Sequence, residues 1–153
     1  MIRAMSVPSF MDLALMAAAE AGKSGEVPVG CVIVRNQEVI ATAANRTRAD
    51  HDPTAHAEIL ALREAAAKIG SERLIDCDLY VTLEPCTMCA GAISLARIRR
   101  LYFGATDPKG GAVESGVRFF DALSCHHRPE IYSAIGESAA ARLLHEFFQE
   151  RRQ

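Results

Sequence analysis

Four side chains in two short stretches of this 153-residue sequence can bind and use a metal ion. His56 and Glu58 stand two apart in Thr54-Ala-His-Ala-Glu58, and Cys86 and Cys89 stand three apart in Pro85-Cys-Thr-Met-Cys89. Soft thiolates together with an imidazole suit Zn2+. Alone, a Cys-x-x-Cys pair is also a redox pair or half of a closed four-cysteine structural site. His56 and Glu58 favour a metal centre put to catalytic use. Residues two apart on a helix point about 200° apart, so both can border one site only near the helix tip. A site there has His56, Cys86 and Cys89 as protein ligands and a fourth position for water, the pattern of catalytic rather than structural zinc. Glu58 is then the carboxylate that takes up the proton. Two thiolates neutralise the charge of the ion, so helix-end amides around the sulfurs are needed to restore part of its Lewis acidity.

Such a site requires two helix starts that meet, and the pattern of the chain supplies both. Ser9 with Asp12 starts a helix whose apolar positions recur to Gly22. Residues 29–34 and 39–42 read as a strand hairpin about the turn 35–38, and 45–53 as a polar loop. A strong Ala-rich helix spans 54–69, with Thr54 as its cap and Gly70 just past its end. Residues 79–83 form a strand, Pro85 opens a helix over 86–96, and 101–104 form another strand. An exposed glycine-rich loop over 107–116, a short strand at 131–132 and an amphipathic helix over 137–151 complete the chain. This order predicts an α/β fold: a three-layer α/β/α sandwich with a mixed central sheet of about five strands. Without internal repeats or a linker, residues 1–153 read as a single domain.

Composition excludes some classes of function. Half the residues are apolar, 24% are charged and Trp is absent, which is ordinary for a globular domain. No apolar run reaches the roughly 18–20 residues that cross a bilayer, and the first residues lack secretory-signal features, so no membrane partner and a cytoplasmic location are expected. The five cysteines read as thiols rather than a disulfide framework. Cys31 is expected in the core and Cys77 in a turn, while Cys125-His126-His127 reads as a surface turn rather than a second metal site. Net charge is -2, which argues against a nucleic-acid coat over the whole surface. The charge is uneven, with 8 Lys/Arg against 12 Asp/Glu in residues 1–96 and 9 against 7 in residues 97–153. A local basic surface in the last third is compatible with phosphate contacts.

His-x-Glu followed by Pro-Cys-x-x-Cys is the known signature of the zinc nucleobase deaminases. Further stretches extend the likeness: Glu26-Val-Pro-Val-Gly30, Asn45-Arg46, His51 to Glu58, Leu79 to Cys86, Cys89-Ala-Gly-Ala92, Phe103-Gly-Ala105, Asp107 to Ala112, Phe147-Phe148 and Arg151-Arg152. Over about residues 10–152 the sequence resembles the bacterial tRNA-specific adenosine deaminases of the cytidine/deoxycytidylate deaminase superfamily. The resemblance implies a homodimer of α/β/α subunits, each with one Zn2+ on His56, Cys86 and Cys89 and with Glu58 as proton shuttle. Its reaction would be hydrolytic deamination of adenosine to inosine at the wobble position of a tRNA anticodon stem-loop. It further implies that Asn45 hydrogen-bonds the flipped base, that Asp107 and Lys109 belong to a loop lining the anticodon, and that Arg152 faces the RNA. A deaminase of free guanine or cytosine would use the same zinc chemistry, but has no need of the charge at Asp107, Lys109 and Arg151-Arg152. A zinc-stabilised RNA-binding module would leave Glu58 without a role.

Overall fold

A computed structural model describes residues 8–151. In chain order the elements are α1 (Phe10–Lys23), β1 (Gly30–Arg35), β2 (Glu38–Ala44), α2 (Ala57–Ile69), β3 (Cys77–Leu83), α3 (Thr87–Ala96), β4 (Arg100–Ala105), a short 3-10 turn (Phe119–Asp121), β5 (Glu130–Tyr132) and α4 (Glu137–Glu150). α1 starts on a reciprocal cap: Ser9 Oγ accepts from the Asp12 amide, and the Asp12 carboxylate accepts from the Ser9 amide, both at 3.0 Å.

The strands form one sheet in the order β2-β1-β3-β4-β5. β1 is antiparallel to β2 and β3, whereas β4 is parallel to β3 and β5, so the sheet is mixed. Side chains alternate between its faces. Cys31, Ile33, Leu79, Val81, Leu101 and Phe103 pack with Ala57, Ala61 and Ala65 of α2 and Ala90 and Ile93 of α3. Val32, Val34, Tyr80 and Tyr102 turn the other way, against Met11 and Ala14 of α1. α4 shares that second face through its contacts with α1 and β4. Helices on both faces leave the middle strands no solvated side, which is why they read as apolar runs rather than alternating ones.

Connectivity gathers the loops that matter at one edge of the sheet. β2 ends beside the start of β1 (Ala44 opposite Gly30), and β3 and β4 end together (Leu83 opposite Ala105). Residues 45–56, 84–86 and 106–118 therefore leave the sheet side by side, at the carboxyl ends of its parallel strands, where open α/β sheets bind ligands.

Three local expectations differ from the structure. α2 begins at Ala57, not Thr54, because the Asp52 carboxylate accepts both the amide and the hydroxyl of Thr54 (2.8 and 2.7 Å) in a side-chain turn of its own. Cys77 is no turn residue: it is fully buried and opens β3 opposite Arg35. The glycine-rich loop is exposed only in part, since Gly111, Ala112 and Val113 are buried.

α1 lies directly on β1 at Gly30, where an added Cβ would come within 2.0 Å of the Ala14 carbonyl oxygen and 2.8 Å of the Ala18 nitrogen. Both neighbours are helix backbone and cannot rotate away. Gly30→Ala is therefore expected to destabilise the fold by about 1–3 kcal/mol or more, read as a lowered midpoint of thermal unfolding. An unchanged midpoint would show that the helix can lift off the strand freely.

Candidate active site

Two helices begin at the same place, and each begins on a residue able to hold a metal ion. His56 is the N-cap of α2 and Cys86 the N-cap of α3, both extended, and neither side chain caps its own helix. The two side chains are thereby free to face each other, with Cys89 one turn into α3. His56 Nδ1 lies 3.6 Å from Cys86 Sγ and 3.5 Å from Cys89 Sγ. A tetrahedral ion at about 2.0–2.1 Å from nitrogen and about 2.3 Å from sulfur holds such atoms about 3.6 Å apart. The triad thus has the spacing of a zinc ligand set. Among the described residues no other group of three His, Cys, Asp or Glu side chains converges in this way.

Electrostatics prepare the sulfurs. The Cys86 thiol is held down to about 4, first by the hydrogen bond from the Cys89 thiol and, against burial, also by His56. That same hydrogen bond and burial push Cys89 up, and the bond to Cys86 raises His56. Helix-end amides and the positive end of the dipole favour thiolate at this point. Glu58 stands in the first turn of α2, only 4% exposed, and burial raises its carboxyl above the ordinary range. His56, Glu58, Cys86, Asn45 and Asp107 border one cavity of about 310 Å³ with Val27, Val29 and Leu83 as its apolar lining. His56 and Glu58 thus both border this cavity from the start of α2.

Two loops wall the cavity, and a buried carboxylate pins each of them. Glu26 accepts from the amides of Arg48 and Ala49 at 3.1 and 2.8 Å, holding the loop that starts at Asn45. Asn45 Oδ1 accepts from the Ala57 amide at 2.8 Å, so the side-chain amide of Asn45 keeps its hydrogens for another partner. Glu84 accepts five hydrogen bonds from residues 107–115. Burial works to raise its carboxyl, but the amide bonds from Asp107, Ser115 and Val113 prevail and hold it below the ordinary range. Asp107 Oδ1 accepts from the amides of Lys109 and Gly110, which leaves the Lys109 side chain on the exposed outer turn, away from the cavity. Arg152 lies outside the described residues.

Sequence reasoning assigned no role to Glu26 or Glu84. The available signal was their place: each is an ionisable residue directly beside an apolar strand segment, followed closely by proline. The side chains of Cys125, His126 and His127 do not converge on one point. His127 Nε2 contacts the Ile98 carbonyl at 2.7 Å, and Ser94 Oγ bonds to the His127 backbone, so the segment is fastened structurally.

Residues 5–105 match the family of the cytidine and deoxycytidylate deaminase zinc-binding region. A tRNA-specific adenosine deaminase of Agrobacterium fabrum (strain C58) is 61% identical over 143 residues, covering 94% of each chain. A structure from a study of A-to-I editing by tRNA:A34 deaminases at the wobble position of transfer RNA superposes with a TM-score of 0.87. It is 61% identical and covers 88% of this chain and 98% of the other. Guanine deaminase from Bacillus subtilis superposes with a TM-score of 0.64 at 32% identity, covering 97% of this chain and 94% of the other.

Asn45 tests how the first turn of α2 is held. Asn45→Ala deprives the Ala57 amide of its acceptor and should lower stability by about 1 kcal/mol. Asn45→Asp keeps the acceptor at the positive end of the helix and should stay near wild type. Denaturant unfolding of the two variants decides, and equal stability of Asn45→Ala and wild type would remove Asn45 from this role.

Proposed function

This chain belongs to the cytidine and deoxycytidylate deaminase family, and we propose that it converts the wobble adenosine of a tRNA anticodon to inosine by hydrolytic release of ammonia. The observation that carries this reading is the His56-Cys86-Cys89 triad at zinc spacing beside buried Glu58 in one cavity. The choice of substrate rests on the 61% identical relative bearing the name tRNA-specific adenosine deaminase.

His56, Cys86 and Cys89 would hold one zinc ion per subunit, which would supply the Lewis acidity that makes water a nucleophile near neutral pH. Glu58 takes a proton from the attacking water and delivers it to N1 of adenine while the oxygen joins C6. Glu58 then moves the second proton to the exocyclic nitrogen, the C6–N bond breaks, and ammonia leaves behind a C6 carbonyl. Burial suits Glu58 to both steps, because a raised carboxyl can hold a proton between them. A cavity of about 310 Å³ is of small-molecule size and takes one base. The adenine must therefore leave the anticodon stack, at a cost of a few kcal/mol. The side-chain amide of Asn45 donates to that base, Asp107 and Lys109 line the anticodon, and Arg152 contacts the RNA.

The working form is a homodimer in the cytoplasm, where tRNA is processed. No helix among the described residues is long and apolar enough to cross a membrane. What supports the dimer is an apolar face shared by α2 and α3, with Ile59, Leu62, Ala66, Ala92 and Leu95 around one shallow hollow. Leu95 in this lining is 69% exposed, and a contiguous apolar face of this kind is what a second copy would cover.

The zinc-loaded protein should form inosine in an anticodon stem-loop with A at the wobble position and leave an A elsewhere in the loop untouched. Glu58→Gln should keep its zinc and lose about 10²–10⁴-fold in turnover, and near wild-type turnover would remove Glu58 from proton transfer. Turnover of free guanine alone would retain the zinc chemistry and discard the RNA. Tight binding without conversion would favour a zinc-stabilised RNA-binding module. Leu95→Arg should halve the mass in sedimentation, and a dimer that persists would place the interface elsewhere.

A further inference from the structure

Glu84 is 2% exposed, lies between the end of β3 and Pro85-Cys86, and borders the same cavity as the proposed metal ligands His56 and Cys86. Its Oε1 accepts from the Asp107 amide and from Ser115 Oγ, both at 2.9 Å. Its Oε2 accepts from three consecutive amides, Val113 at 3.0 Å and Glu114 and Ser115 at 2.9 Å. All five donors are neutral, so backbone and hydroxyl dipoles balance the buried charge. Two further bonds close the wrap: the Glu84 amide donates to Ala105, and the Ala112 amide donates to the Pro85 carbonyl, both at 2.8 Å.

Gly111 shows how close the wrap is. A Cβ there would lie 2.4 Å from Glu84 Cδ and 2.6 Å from the Asp107 carbonyl oxygen. Only a residue without a side chain lets the loop pass over the carboxylate. The loop held in this way supplies Asp107 and Gly110 to the cavity that also contains His56, Glu58 and Cys86.

We propose that Glu84 is a positioning residue for the deamination: it moulds residues 107–115 into the wall that seats the target base, without entering the chemistry. The proposal rests on the deaminase reading above. A carboxylate is required because five donors need two accepting oxygens. Glutamine has the same shape, but its NH2 would face two or three of the donors in either orientation and repel them.

Steady-state kinetics on the wobble-A stem-loop test this, with zinc content measured alongside. Glu84→Gln should raise KM about tenfold or more and keep kcat within about threefold, with zinc unchanged, because the lost interaction seats the substrate in ground and transition states alike. Glu84→Asp, which keeps both oxygens, should recover part of the affinity. Gly111→Ala displaces the loop while leaving the carboxylate and Cys86 intact, and should reproduce the rise in KM even if Glu84→Gln fails to fold. Amide hydrogen exchange at Val113, Glu114 and Ser115 should quicken about tenfold or more in either variant. Wild-type KM with unchanged exchange overturns the proposal, as does a loss of kcat and zinc together, which would place Glu84 in support of the metal ligands. A wild-type protein that leaves the stem-loop unmodified while exchange still quickens in the variants overturns the RNA reading and not the anchoring of the loop.

Discussion

Everything in the site depends on two helix N-termini meeting with a proposed metal ligand at each cap position. An N-cap residue is extended, so its side chain stands off the helix end instead of lying along a flank. The free amides and the positive dipole end of the helix face the same point. His56 and Cys86 occupy these two positions, and Cys89 follows three residues into α3. A shift of either helix start by one residue would turn its side chains by about 100° and separate nitrogen from sulfur. The constraint explains why conventional caps are missing here. The cap positions carry the proposed ligands, and the first amide of α2, that of Ala57, is met from outside by Asn45.

Three buried glutamates border or support the cavity, and their surroundings give them different work. Glu58 has burial as its dominant influence, which favours the protonated form and suits a group that carries protons. Glu84 is as deeply buried yet stays ionised, because five donors are trained on its two oxygens. Glu26 holds the other loop through two amides in the same manner. One residue type thus suits both the proposed proton carrier and the loop anchors, with the number of hydrogen-bond donors deciding which. The two anchors also explain why loops without regular structure can wall a site of defined shape: each is tied to the sheet edge from inside.

Much of this was legible in the sequence because it is written in short-range patterns. The capping pair Ser9/Asp12, the β-branched strands, the Ala-rich helix ended by Gly70 and the Pro85 junction each depend on neighbours within a few residues. Where reasoning from neighbours failed, a longer-range contact had intervened. Thr54 looks like a cap, but Asp52 claims it first. Cys77 sits between two aspartates and reads as a turn, yet pairing with Arg35 across the sheet draws it into the core. The glycines at 110 and 111 suggested exposure, whereas Gly111 is there to let backbone pass over a buried carboxylate.

By itself the sequence determined the chemical groups and their order: an imidazole and a carboxylate at one helix start, two thiols at another, and a strand pattern that allows only a layered α/β arrangement. These follow from residue type and periodicity, which need no knowledge of distant partners. The tertiary structure decided which groups meet. It placed His56 Nδ1 3.5–3.6 Å from the two sulfurs, buried Glu58 in the cavity wall, and assigned Glu84 to a loop some thirty residues further along the chain. Those distances arise from the packing of whole helices on both faces of a twisted sheet, and no local pattern encodes them.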